Sequence, residues 1–403
     1  MKKFFAAALI AGSLFATSPV NAEIKTYEGS DEYIMNEFET IDIAKQRARQ
    51  KAERNAQEKA GVFISSYSQM KNLELVEDEV ISIACGIMSV VDVKYTTEPL
   101  DDVNGFLIRA TVKANIETDD VGKWLEKSAR ERSTIVTQNK ELQQAVADQD
   151  ATINKLKAQI RRLTAEGKLS GKREREKISA EIAAEDKIFQ SNQKLADCRK
   201  LYYDGDYRGV VKLCDEAIKL NANNAQAYAL RGAIYKELQN YDAAISDLSK
   251  AIELQPDYAA AYNDRGTVYQ AQQNFSQAFS DYDKGVKLDP NEPAGYVNRG
   301  MMYLVTSKFN EAVADANKAI ELQNNFAAAY ALRAGAYLEI GGVEAETILA
   351  DLNRAIELDP KLAFAYYCRG IFWRAVGDPA KAQADFDKVT EISGADITPL
   401  IGN

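Results

Sequence analysis

From Tyr228 onward the chain repeats itself every 34 residues. The unit reads Tyr-x-x-Arg-Gly-x-x-Tyr. Its glycine position is filled by Gly232, Gly266, Gly300, Ala334 and, after a two-residue insertion, Gly370. Aromatic residues flank each of these as Tyr228/Tyr235, Tyr262/Tyr269, Tyr296/Tyr303, Tyr330/Tyr337 and Tyr366/Trp373. Small residues recur downstream at Ala251, Gly285, Ala319 and Ala355, and Pro256, Pro290 and Pro360 close three of the units. A period of this length specifies supersecondary units that cannot bury an apolar face alone and must stack. Such arrays hold partners far more often than they perform chemistry.

The phase of these residues resembles the tetratricopeptide repeat. Residues 190–394 are identified as six such repeats, each a pair of antiparallel helices. The resemblance implies that the glycine lets the second helix approach the first closely, and that the proline stops the second helix. The first unit is degenerate, with Cys198 at the glycine position and no flanking aromatics. The fifth carries Gly341-Gly342 and the insertion, which predicts a longer turn between its helices. The family binds partners on the inner face of its first helices. Here those positions include Asn263, Thr267, Gln270, Val297, Met301, Leu304, Ala331, Tyr367 and Arg374. They lack the Lys/Asn/Arg set with which some members clamp a terminal carboxylate, so an extended peptide or a partner's helix fits better than a charged tail. The alternative is that some of them fill the superhelix interior or contact another subunit.

Two further positions travel with the repeat. Arg231/Asp247, Arg265/Asp281, Arg299/Asp315, Arg333/Asp351 and Arg369/Asp385 are sixteen apart, or eighteen across the insertion. Arginine's planar fork suits bidentate contact with a carboxylate, so these predict a ladder of partly buried pairs between paired helices or adjacent repeats. In the first unit Asp197 and Leu213 stand instead, and one residue along are Cys198 and Cys214. If those positions face each other they are either a disulfide or two buried thiols. Cys85 and Cys368 read as buried small residues.

The N-terminus reads as an export leader over residues 1–22: Lys2-Lys3, an apolar run from Phe4 to about Ala16, then Val20-Asn21-Ala22. Export places the chain in the periplasm if the cell has an outer membrane, or otherwise at the surface or in the medium. No segment has the roughly 18 apolar residues of a membrane span, so no transmembrane anchor is expected. The net charge is −10, and −12 without the two leader lysines, which argues against nucleic acid.

Chemistry is poorly supplied. The 403 residues include no histidine, which removes Ser-His and Cys-His nucleophiles and His-containing zinc sites. The four cysteines lack C-x-x-C spacing. Gly167 and Gly171-Lys172 miss the spacing of a phosphate loop, and Arg173 stands where Ser or Thr is required. No catalytic residue, metal or cofactor is expected.

Composition divides the rest. Residues 23–125 read as an α+β domain: a helix over Ala44–Gly61, a strand over Val62–Ser68, a short helix over Val76–Ala84, and a hairpin of Ile87–Tyr95 with Gly105–Ile116. The order of these elements, with Ala60-Gly61-Val62, Ser65-Ser66 and Gly86, resembles the N-terminal domain of flagellar assembly protein T and related envelope lipoproteins. That implies envelope residence and no activity. Residues 126–166 carry a four-heptad register. Ile135, Leu142, Gln149, Leu156 and Leu163 hold one position, and Asn139, Val146, Ile153 and Ile160 the other. Residues 135–163 thus predict a parallel dimeric or trimeric coiled coil, or else an amphipathic helix packed on its own chain. Residues 167–189 read as a hinge and lead-in helix, and 395–403 as a tail whose Ile397, Leu400 and Ile401 are available to cover the last repeat.

The fold class expected is mainly α, a six-repeat solenoid preceded by a coiled-coil helix and a small α+β domain. The function expected is an exported, self-associating, non-enzymatic scaffold for a protein or peptide ligand. Coiled coil followed by repeats is also the order of the periplasmic cell-division coordinator of the Tol-Pal system, which lacks the head. The competing readings are an envelope or motility assembly factor, a hydrolase with its site in residues 23–125, and a spacer without a ligand.

Overall fold

The computed structural model describes residues 24–70, 75, 77–100, 105–117, 120–122, 129–165 and 172–394. The expected leader and the C-terminal tail lie outside the described residues.

The head is a three-stranded antiparallel sheet, ordered β1 (Ile24–Met35), β3 (Phe106–Glu117), β2 (Ser89–Pro99). The expected hairpin is β2–β3, with a bulge at Val90/Asp92. On β3, alternate residues Ile108, Ala110, Val112, Ala114 and Ile116 are fully buried, as the two-residue period of a strand requires. Helix α1 (Ile41–Met70) covers that face. Ala44, Ala48, Ala52, Ala56 and Ala60 recur every fourth residue and are fully buried, so the helix lies close on the sheet. At Gly29 of β1 an added Cβ would strike the α1 backbone at Ala52 and Ala56.

The strand expected over Val62–Ser68 is instead the end of α1. Its β-branched residues favour a strand locally, but Ile64 extends the alanine row into a cluster with Val80, Ile83 and Ile116, and burial overrides propensity. Helix α2 (Glu77–Ile87) supplies Val80 and Ile83.

Helix α3 (Ala129–Ala165) and helix α4 (Lys172–Tyr203) form an antiparallel pair. Ile160 of α3 packs on Ile178 and Ile182 of α4, with Leu156, Leu163 and Phe38 around them. Further along, Gln149 Nε2 donates to the Glu185 carbonyl at 3.0 Å. Residues 149–163 of the seam expected to join two chains are therefore covered from within one chain. A heptad pattern shows that a helix has an apolar side; it does not name the helix that covers it. Of the expected hinge and lead-in helix, residues 167–171 lie outside the described residues, and 172–189 belong to α4, which runs unbroken from Lys172 into the first repeat.

Head and helical pair meet in a polar cluster. The Tyr33 hydroxyl donates to Glu39, and Arg47 donates to Glu39, to the Tyr33 oxygen at 2.8 Å and to Asp186 of α4 at 3.0 Å. Lys157 of α3 lies 3.7 Å from the Tyr33 ring centroid and donates to the Ile34 carbonyl at 2.6 Å. Burial pushes the Tyr33 hydroxyl up, helped by the Glu39 charge. Burial also pulls the Lys157 ammonium down to about 8, against the Glu39 attraction. For Arg47 burial acts downward, but Tyr33, Glu39 and Asp186 outweigh it and raise the guanidinium.

The solenoid begins with the end of α4 and α5 (Tyr207–Leu220). The following repeats are α6/α7 (Ala225–Glu237, Tyr241–Leu254), α8/α9 (Ala259–Ala271, Phe275–Leu288), α10/α11 (Pro293–Val305, Phe309–Leu322), α12/α13 (Ala327–Ile340, Ala345–Leu358) and α14/α15 (Ala363–Ala375, Pro379–Ser393). In most repeats the turn between the paired helices uses one left-handed residue: Gly205, Gln239, Gln273, Ser307 or Gly377. The fifth repeat uses two, Gly341 and Gly342 at φ +72° and +71°, which is how its insertion lengthens the turn. The glycine position of the repeat is the point of closest helix approach. A Cβ on Gly232 would sit 2.8 Å from Leu248 Cγ, and one on Gly370 would sit 2.5 Å from the Phe386 ring.

The array also ends in a recognisable way. Ile245, Phe279, Val313 and Leu349 occupy one position of the second helices, and Ile252, Val286, Ile320 and Ile356 another; all are at least half-buried. Phe279 stacks edge-on against Tyr303 of the next repeat at 5.2 Å. In the last repeat these positions are Gln383 and Thr390, both exposed. The outward side of α15 is therefore polar where every inner repeat is apolar, and the end is compatible with water without a covering helix.

Candidate partner-binding face

The Arg–Asp pairs form as the spacing predicts. In all five, Nε and Nη2 of the arginine reach the two carboxylate oxygens of its aspartate at 2.7–2.9 Å. The third nitrogen does something the pair spacing does not announce. Nη1 reaches back to the preceding repeat: to Asp215 from Arg231, Ser249 from Arg265, Asp283 from Arg299, Asn317 from Arg333 and Asn353 from Arg369. Each arginine therefore joins three helices. A tyrosine ring flanks each guanidinium, from Tyr228 at 5.5 Å to Tyr366 at 5.5 Å. Hydrogen bonds to Asp315 are the largest influence raising Arg299, and burial only partly offsets them. Every fork is engaged, so the row is structural and offers no open cation for an acidic ligand.

The first helices of successive repeats touch one another, α6 with α8, α8 with α10, α10 with α12 and α12 with α14, while successive second helices are not in comparable contact. First helices thus line the inner side of the stack.

The predicted inner-face residues divide into two groups. Asn263 is wedged against Gly285 and Gly295, with its Oδ1 buried and unpaired, while Val297 and Ala331 are buried in the packing between helices. Val297 and Ala331 belong to the interior, and Asn263 is half-buried with its amide oxygen turned inward. Thr267, Gln270, Met301, Leu304 and Tyr367 are half-buried, and Arg374 is exposed. Thr267 donates to the Asp264 carbonyl at 2.7 Å, and Gln270 accepts from the Tyr282 hydroxyl at 2.8 Å. Tyr367 packs on Phe386 with ring centroids 6.3 Å apart, and the Arg374 guanidinium lies 5.9 Å from the same ring.

Three half-buried residues were absent from that sequence-derived set: Leu338, Phe364 and Ile371. Leu338 is one 34-residue step from Leu304, so the period itself contained the signal. Phe364 and Leu304 close over Gly335, with Phe364 Cζ 3.3 Å and Leu304 Cδ2 3.6 Å from where its Cβ would lie. The inner face is therefore mixed and polar at Thr267 and Gln270, and apolar from Met301 to Ile371. Cys368 is buried beneath this region, and burial pushes its thiol up to about 12.

Among the described residues no cluster of three or more Cys, Asp or Glu is arranged to hold a metal, and no helix is long and apolar enough to cross a membrane.

Comparison with known proteins agrees with this geometry. Residues 232–273 match a family model for the TPR repeat, and 259–292 and 293–326 each match one for the tetratricopeptide repeat. No curated protein matches the chain. Among solved structures, YrrB, described as a TPR protein with an unusual peptide-binding site, is 21% identical. The match covers 47% of this chain and 96% of that one, with a TM-score of 0.36. The type IV pilus biogenesis factor PilW is 19% identical over 51% and 94%, with a TM-score of 0.44. A tetratricopeptide repeat protein from Parabacteroides merdae is 18% identical over 59% and 92%, with a TM-score of 0.41. At such identities the likeness is one of fold. The repeats are tetratricopeptide repeats, and a protein-interaction scaffold is the role their fold suggests. The family matches lie between 232 and 326, so they do not bear on the likeness of the head to flagellar assembly protein T.

Proposed function

We propose that the protein is an exported, non-catalytic adaptor of the cell envelope that holds an apolar stretch of a partner protein against the first helices of repeats four to six. The observation that carries this is the half-buried row Met301, Leu304, Leu338, Phe364 and Ile371, on a chain that is otherwise acidic. Apolar positions that recur on successive first helices suit a partner presenting several spaced anchors, as a helix or extended peptide does. Export rests on the leader-like residues 1–22. The sequence resemblance of the head to an envelope domain, read from Ala60-Gly61-Val62, Ser65-Ser66 and Gly86, is a second support for that reading. The cover over residues 149–163 within the chain supports an adaptor that works as one arm, while the side chains of Ile135, Asn139, Leu142 and Val146, the rest of the expected seam, lie outside the described residues.

A displayed random-peptide library selected on the full chain tests this, with recovered peptides then measured on a Leu304→Asp/Leu338→Asp variant. A loss of about tenfold or more, roughly 1.4 kcal/mol, supports the assignment. Equal binding to variant and wild type moves the site elsewhere and overturns it.

A further inference from the structure

We infer that Cys198 and Cys214 are the two halves of a disulfide that locks the first repeat, formed by exchange with a protein or low-molecular-weight disulfide as the chain folds. The two residues occupy the positions of Gly232 and Leu248 one period earlier. In the later repeats those positions mark where paired helices come closest. A Cβ on the first would meet the second residue's side chain at 2.8 Å at Gly232/Leu248, 2.6 Å at Gly266/Tyr282 and 2.5 Å at Gly370/Phe386. A disulfide needs Cβ atoms about 3.5–4.5 Å apart, and a position whose Cβ would meet the facing side chain at its Cγ or ring is one where the helices approach closely.

The structure puts both thiols at that place. Cys198 on α4 and Cys214 on α5 are free thiols in the structure, buried in one cluster with Leu195, Val210 and Ala217 and in hydrogen-bonding reach of each other. Cys198 Sγ also lies 3.9 Å from the carbonyl of Val210, one helical turn before Cys214. The first repeat lacks the Arg–Asp pair that ties the two helices together in each of the other five, since Asp197 and Leu213 hold those positions. A covalent tie stands where the ionic one is missing.

In the exchange, a Cys thiolate attacks the oxidant's disulfide and the second Cys displaces the mixed intermediate. One Sγ–Sγ bond forms, the oxidant's S–S bond breaks, and two protons end on the oxidant's two thiols. The hydrogen bond with the neighbouring Cys198, and then burial, hold Cys214 protonated in the closed repeat, so the reaction belongs to the open, folding chain, before α5 docks.

The test is to refold the full chain with oxidised and reduced glutathione, remove the glutathione, denature, and count alkylated thiols by intact mass. Two labels without reductant and four with it are expected. Cleavage after Arg199, Lys200, Arg208 and Lys212 separates the two cysteines, so a non-reduced tryptic digest should hold one linked pair containing Leu195–Arg199 and Leu213–Lys219. A Cys198→Ser chain should take three labels in either condition. Melting of the oxidised chain should fall by roughly 5 to 10 °C on reduction. Four labels without reductant, a glutathione adduct in place of the link, or a linked pair involving Cys85 or Cys368 would each overturn the assignment. The digest of the unmutated chain decides the matter even if the serine variant does not fold.

Discussion

Arginine is used twice in this molecule to hold helices together, and the two uses have little in common. In the solenoid each arginine meets an aspartate sixteen or eighteen residues away and is repeated five times, with 15–22% of its side chain exposed. At the head, Arg47 is used once, with 3% of its side chain exposed, and reaches Asp186 across 139 residues. The first arrangement is local, redundant and partly wet. The second joins two regions far apart in sequence, beside Lys157 on the Ile34 carbonyl, Arg175 on Glu37 and the packing of Phe38 on Ile160. Loss of one rung should loosen one repeat, and loss of Arg47 should loosen the junction of head and helical pair.

Three expected outcomes sharpen that contrast, in descending size. Arg47→Met leaves Glu39 and Asp186 without their cation in a buried place. It should cost about 3–5 kcal/mol at the junction, seen as loss of hydrogen-exchange protection in α1 and β1 with α8–α11 unchanged. If protection falls equally in the solenoid, the regions are not separate cooperative units. Arg299→Ala should cost about 1.5–3 kcal/mol, because it removes charge-assisted hydrogen bonds from a part-exposed pair. Its effect should be confined to α9–α11, and a uniform fall over all repeats would contradict the local reading of the ladder.

The smallest effect is one of pH. Lys157 titrates near 8 in the folded chain and near its ordinary value of 10.5 when unfolded. Between those values the unfolded chain holds more protons, so stability rises with pH. Two buried acids oppose the rise, Cys368 from about pH 9 and Tyr33 from about pH 10, because each ionises when unfolded and stays protonated when buried. Measured against Lys157→Met in urea melts, the unsubstituted chain should gain on the order of 1 kcal/mol between pH 8 and 10, discounted for the partial exposure of Lys157, while the opposing thiol and hydroxyl contributions cancel in the difference. Parallel pH profiles for the two chains would contradict the assignment.

The same contrast explains what could be read from sequence. The solenoid and its five pairs were legible because a fixed period aligns residues that share an environment, so the Arg–Asp spacing stood out without any structure. The head has no copy to compare with. Strand β1 escaped notice because its sequence, with Glu28, Gly29, Ser30, Asp31 and Glu32 in the middle, has no β-branched run; pairing with β3 makes it a strand. The end of α1 shows the opposite, since Val62, Phe63 and Ile64 look like a strand until the alanine row before them is extended. In α3 the heptads were correct as a pattern, but the pattern does not name its partner. On the inner face, periodicity chose the right helices and could not separate Thr267 or Leu304 from Val297 and Ala331, because that depends on how far the next repeat overlaps each position.

Helix α4 is counted from both ends. Its early turns must present Ile178, Ile182 and Asp186 to α3 and the head, while its last turns must present Leu195 and Cys198 to α5. One residue inserted between those stretches turns everything after it by about 100° and moves it about 1.5 Å along the axis. Length changes that a loop would absorb are therefore unavailable here, and only additions close to whole turns restore both faces. The distance and angle from head to solenoid are written into this helix as a residue count, so insertions in α4 should be tolerated far less than insertions at the Gly341-Gly342 turn.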